Sequence, residues 1–124
     1  MRKYVSLEDV LKIANLVTGD GPAMVRDMGL VQAAVARPLT VVFGLDPYPD
    51  VFSKAAALLH SLSWNHPFID GNKRTAWMAC ILLLALHEIR LRVDDDAAEA
   101  LVIAVATGNM EEVPDIAEAL KALQ

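Results

Sequence analysis

Nine consecutive residues, His66-Pro67-Phe68-Ile69-Asp70-Gly71-Asn72-Lys73-Arg74, combine groups that can move a proton, hold a cation and hold an anion. The pattern after them predicts a helix starting near Gly71. The first backbone N–H groups of a helix have no partner within it and point at whatever lies in front, which makes a ready anion site. Lys73 and Arg74 fall in that first turn. Cations are electrostatically misplaced there, at a cost of about 0.3–1 kcal/mol each. A sequence that keeps two of them is expected to hold an anion, and the common cellular anion is phosphate.

Asp70 stands just before the turn. A carboxylate beside bound phosphates can hold Mg²⁺, which shares its oxygen ligands among protein, phosphate and water. It can equally cap the helix, and the two roles are compatible. His66 lies upstream in the same loop, and histidine is the side chain that exchanges a proton near neutral pH. Singly, each residue has a plainer reading: a surface histidine, a capping aspartate, two solvated cations. Together and in this order they supply a base, a metal-holding carboxylate and a phosphate cradle, the parts needed to transfer a group from a nucleotide to a hydroxyl. Phe68 reads as the hydrophobic anchor of the loop.

The elements around this stretch read as helices. Ser6 and Asp9 have the spacing of a capping box, predicting a first helix to about Val17. Thr18-Gly19-Asp20-Gly21-Pro22 breaks it. A second, short helix is expected over Leu30 to Ala36, stopping before Pro38. Thr40-Val41-Val42-Phe43 is the one β-like run, and Gly44 to Pro49 reads as an ordered loop or flap. Asp50 caps a third helix, Val51 to Trp64. The fourth, Gly71 to about Ile89, is apolar on all sides through its middle and is expected to be the buried centre. Asp94 to Asp96 open a fifth helix to about Thr107, ended by Gly108, and a sixth runs from about Pro114 to Leu123. The expectation is an all-α, six-helix single domain over residues 1–124.

Composition narrows the class. A net charge of -5 argues against general nucleic-acid binding. The longest apolar run, Ala76 to Leu86, is too short to span a bilayer. Met1 to Val5 followed by Glu8 and Asp9 does not read as a secretory leader, so a cytoplasmic protein is expected. The one cysteine, Cys80, sits in an apolar run and reads as a buried thiol. His60 and His87 are not at metal-ligand spacing with His66 and read as structural or exposed. Trp64 and Trp77 read as core packing.

The stretch His66 to Asn72 resembles the Fic/Doc signature, a His-x-Phe-x-Asp/Glu-Gly/Ala-Asn core on a loop leading into a central helix. The six-helix layout is also similar to the small death-on-curing members of that family over nearly the whole chain. The resemblance implies that His66 is the catalytic base and Asp70 the Mg²⁺ ligand. It makes Gly71, Asn72, Lys73 and Arg74 the cradle for the phosphates of ATP or another nucleoside triphosphate. Adenylylating members have glycine where Lys73 stands and commonly a second arginine where Trp77 stands. Lysine and arginine in sequence, without the second arginine, look like the death-on-curing subgroup, which implies a kinase toxin acting on a threonine of elongation factor Tu. The alternatives are a protein adenylyltransferase and a non-catalytic binding module. The resemblance further implies an antitoxin of the prevents-host-death type supplied in trans. The self-inhibiting Ser/Thr-x-x-x-Glu-Gly/Asn pattern is approached only at Thr107 to Glu112 and fails at its last position.

Overall fold

The computed structural model describes residues 2–19, 22–92 and 94–124. Among these, six α-helices occur in chain order: α1 (Leu7–Thr18), α2 (Met28–Ala36), α3 (Val51–Trp64), α4 (Asn72–Leu86), α5 (Asp95–Ala106) and α6 (Val113–Ala122). No β-strand occurs among the described residues. Side-chain caps set four of the starts, that of α2 among them. Ser6 and Asp9 form the reciprocal capping box of α1, Asp50 accepts from the Ser53 N–H, and Asp94 accepts from Asp96 and Ala97.

Several boundaries differ from expectation, each for a local reason. Helix α2 starts at Met28 because the Asp27 side chain caps it, accepting from the Leu30 N–H. The chain also stays helical through Pro38, since Arg37–Leu39 form a 3-10 turn. Proline fits in such a first turn, where no N–H is required of it. Helix α4 ends at Leu86, not Ile89. Glu88 turns left-handed at φ 63°, and the Ile89 and Glu88 N–H groups return to Leu84 and Ala85. That is a Schellman closure without the usual glycine. The β-like run makes a tight turn and no strand. Val42 and Leu45 exchange both backbone hydrogen bonds across Phe43 (φ 51°) and Gly44 (φ 75°), two positive φ values as a type I′ turn needs. Of the expected break at 18–22, Asp20 and Gly21 lie outside the described residues, as does Met1.

The centre of the bundle is α3, which corrects the expectation that α4 holds that place. Ala55, Ala56, Ala57, Leu58, Leu59 and Leu62 of α3 are all buried, and the helix packs against α2, α4, α5 and α6. Helix α4 buries Thr75, Ala76, Ala79, Cys80, Leu83 and Leu84 on one face and exposes Lys73, Arg74 and Met78 on another. Its hydrophobic sequence covers one neighbour-facing side and one wall of an open groove. Cys80 is fully buried, and burial alone pushes its thiol up to about 12, so it stays protonated. Trp64 departs from expectation too: it is half exposed and lies over Gly108. Trp77 is partly buried against the core.

If α3 is the centre, Leu59→Ala removes a side chain with no solvent exposure and should cost about 2–5 kcal/mol. Chemical denaturation measures this. A loss comparable to that of a surface substitution would place the centre elsewhere.

Candidate active site

The loop between α3 and α4 folds back on itself because of one amide. Asn72 donates from Nδ2 to the Phe68 carbonyl at 2.8 Å and accepts on Oδ1 from the Phe68 N–H at 2.9 Å. Phe68 is 2% exposed, so the loop is pinned below by apolar burial and beside by this pair of hydrogen bonds. The anchoring role expected of Phe68 fits this packing. The side chain of Asn72 is thus committed to the loop, and what it can offer a ligand is its backbone N–H.

Gly71 makes the bend into α4 in a left-handed conformation, φ 78°. A Cβ there would lie 2.9 Å from Val17 Cγ1 of α1. Glycine is therefore required twice, by the dihedral and by the close approach of α1. Gly71 itself, not Asp70, occupies the capping position of α4, and no side chain caps this helix. Asp70 is exposed, and its Oδ1 accepts from the Gly71 N–H at 2.8 Å. The capping role open to Asp70 in the sequence is not the one it plays.

The uncapped first turn leaves N–H groups at the entrance of α4 without helical partners. Lys73 and Arg74 stand exposed beside them. The ion pairs among the described residues, Arg2–Asp9, Lys54–Asp46 and Lys121–Glu118, involve neither. An open cavity of about 320 Å³ is lined by His66, Ile69, Asp70, Gly71, Asn72, Lys73 and Arg74. Every site residue expected from the sequence thus borders one space. A second, apolar cavity of about 550 Å³ lies between α4 and α5. Lys73 and Arg74 form its shared end, Trp77, Met78, Val102 and Ile103 its apolar walls, and Asp95 and Glu99 its acidic border.

Asp70 fits a Mg²⁺ ion of the kind that takes one or two carboxylates and completes its shell with phosphate and water. Asp70 borders the cavity with its Oδ1 accepting from the Gly71 N–H, and its Oδ2 accepts from none of the described residues. Among the described residues no group of three or more His, Cys, Asp or Glu is placed as an all-protein metal cage.

His66 is exposed and left-handed at φ 49°. Such a conformation in a non-glycine residue costs on the order of 1–3 kcal/mol and persists only where the surroundings fix it. The surroundings here are residues 24–27. The Arg26 and Asp27 N–H groups both donate to the Pro67 carbonyl, the Ile69 N–H donates to Met24, and Val25 bridges to Phe68. The Arg26 guanidinium donates to the carbonyls of Asn65 and His66, each at 2.7 Å. No feature of the sequence marks Arg26, which lies 40 positions from its partner. The other histidines stand apart: His60 meets the Arg37 guanidinium at 2.9 Å, and His87 meets the Lys3 carbonyl at 2.9 Å. Burial, then Arg37, lowers the His60 pKa.

The Fic/DOC family profile matches residues 4–84, which takes in α1 to α3, the whole loop and all of α4 but its last two residues. The chain belongs to the Fic/Doc family. It is also 49% identical over 109 residues to a protein of Mycolicibacterium smegmatis named Toxin Doc, spanning 86% of this chain and 83% of that one. The family match begins in the segment that leads into α1 and ends within α4, so α5, the far wall of the apolar cavity, lies beyond it.

Replacing Gly71 by alanine should lower stability by about 1–2 kcal/mol for the left-handed dihedral, before the contact with Val17 adds to it. Thermal melting measures the loss. An unchanged melting temperature would mean that the bend into α4 does not need its left-handed residue.

Proposed function

We propose that this protein is a toxin of a toxin–antitoxin pair that transfers the γ-phosphoryl group of a nucleoside triphosphate to a protein hydroxyl. The observation that carries this is the cavity joining His66, Asp70 and the first turn of α4. The nucleotide's phosphates lie against the unpartnered N–H groups of that turn, between Lys73 and Arg74. The nucleoside extends into the adjoining apolar cavity along Trp77, Met78 and Ile103, with Asp95 and Glu99 in reach of its hydroxyls or amine. Asp70 would hold Mg²⁺ against the phosphates, and the ion's chemistry when bound is to neutralise charge on the transferred group. His66 takes the proton from the acceptor hydroxyl as the oxygen attacks phosphorus.

Lys73 and Trp77 favour phosphoryl over adenylyl transfer. A lysine side chain at the first turn crowds the place where glycine would let phosphate approach bare backbone. One turn on, Trp77 presents an apolar wall where a second arginine would grip another phosphate. Both features support a nucleotide seated with its γ-phosphate toward His66. By likeness to the death-on-curing subgroup, the proposed target is elongation factor Tu, modified on threonine, in the cytoplasm. The same likeness points to a partner antitoxin of the prevents-host-death type. Residues 107–112, the nearest approach to a self-inhibiting segment, form a turn and not a helix, which is consistent with a brake supplied by another polypeptide. No helix among the described residues is long and apolar enough to cross a membrane.

His66→Ala should abolish transfer and growth arrest while leaving the melting temperature near that of the parent, because the side chain is exposed. Full toxicity in a well-expressed His66→Ala protein would sink the assignment of the base. Mass spectrometry of modified proteins should find added phosphate, and an added adenylyl group would replace the kinase reading with adenylylation. Co-expression with the adjacent small open reading frame should restore growth and yield a complex. If no encoded polypeptide does so, the antitoxin reading is wrong.

A further inference from the structure

We infer that Arg26 is a positioning residue that fixes the orientation of His66 for proton transfer. The inference rests on His66 as the base, and its own observations are geometric. Two carbonyls in succession, Asn65 and His66, turn toward one guanidinium and accept from its Nη2 and Nε at 2.7 Å each. The first is the carbonyl of the residue that caps α3, at the negative end of that helix, where a cation is favoured. The second belongs to the left-handed residue itself. Two bonds to adjacent carbonyls fix the plane of the peptide between them and the direction of the next, and so set the φ of His66 and the line along which its imidazole leaves the backbone.

The remaining contacts between residues 24–27 and the loop fall on Pro67, Phe68 and Ile69. They hold the body of the loop and would survive removal of the guanidinium. Arg26 is the one member of the segment whose side chain reaches His66. Because Arg26 is exposed, its loss leaves no buried cavity and no buried unpaired charge. Its bonds are charge-assisted and bidentate, a geometry that lysine cannot reproduce in full.

The test compares Arg26→Ala and Arg26→Lys with the parent. The readouts are transfer of labelled γ-phosphate from ATP to proteins of a cell extract, affinity for a non-hydrolysable ATP analogue with Mg²⁺, and the ring signals of the three histidines by NMR. In Arg26→Ala, turnover should fall about 10–100-fold, the scale of a misplaced catalytic group, while analogue affinity stays within about twofold. Arg26→Lys should recover part of the rate through one remaining hydrogen bond. The His66 ring signal should shift, with those of His60 and His87 unmoved. Turnover near the parent's, an unmoved His66 signal, or an equal loss of analogue affinity each overturns the inference. His66→Ala is assayed beside them: full transfer by that variant would remove the base, whereas the ring signals of the Arg26 variants still decide whether the guanidinium holds His66.

Discussion

The two hydrogen bonds between the Asn72 side chain and the backbone of Phe68 are the constraint on which the site depends. They satisfy both polar groups of a residue whose ring is buried, where an unmade bond would cost about 1–3 kcal/mol. They also join the last part of the loop to the first residue of α4, so loop and helix cannot separate. Given that closure, the chain between Phe68 and Asn72 must bend sharply. Gly71 makes the bend in a left-handed conformation against α1, and Asp70 is turned out to solvent with one oxygen tied to the Gly71 N–H. The cavity is what remains on the open side of this closed loop.

The electrostatics follow from the same bend. Because Gly71 sits where a capping side chain would normally stand, the first turn of α4 keeps its N–H groups unpartnered, and Lys73 and Arg74 add charge beside them. A fold optimised for stability alone would place a carboxylate there, as Ser6 with Asp9, Asp27, Asp50 and Asp94 do for α1, α2, α3 and α5. Four helices are capped by side chains; of the two that are not, α6 carries an aspartate in its first turn and α4 carries Lys73 and Arg74, and this contrast is the physical argument that α4 presents its N-terminus to an anion.

The set of residues that line the loop cavity was legible in the sequence because they are contiguous and their types are electrostatically unusual together. The capped helix starts were legible because a cap is a local interaction between residues a turn apart. What could not be read locally was misplaced or missed. The apolar run of α4 suggested the centre, but hydrophobicity alone does not distinguish a helix surrounded by neighbours from one that lines an apolar groove. The small residues of α3, Ala55 to Ala57, let neighbours approach closely and so take the central place. The end of α4 was overrun because a glutamate, Glu88, takes the left-handed position usually given to glycine. Asp70 read as a cap because capping is what aspartate before a helix commonly does, and only the φ of Gly71 shows otherwise. Arg26 was invisible because its partnership with Asn65 and His66 spans some 40 residues and has no local signature.

The central claim is that nucleotide phosphates bind at the first turn of α4. Titration calorimetry with a non-hydrolysable ATP analogue and Mg²⁺ on the parent and on Arg74→Gln addresses it most directly. Loss of one charge-assisted hydrogen bond, about 1.5–3 kcal/mol, should weaken binding roughly 10–100-fold in the variant. Equal affinity of the two proteins for the analogue would contradict the account.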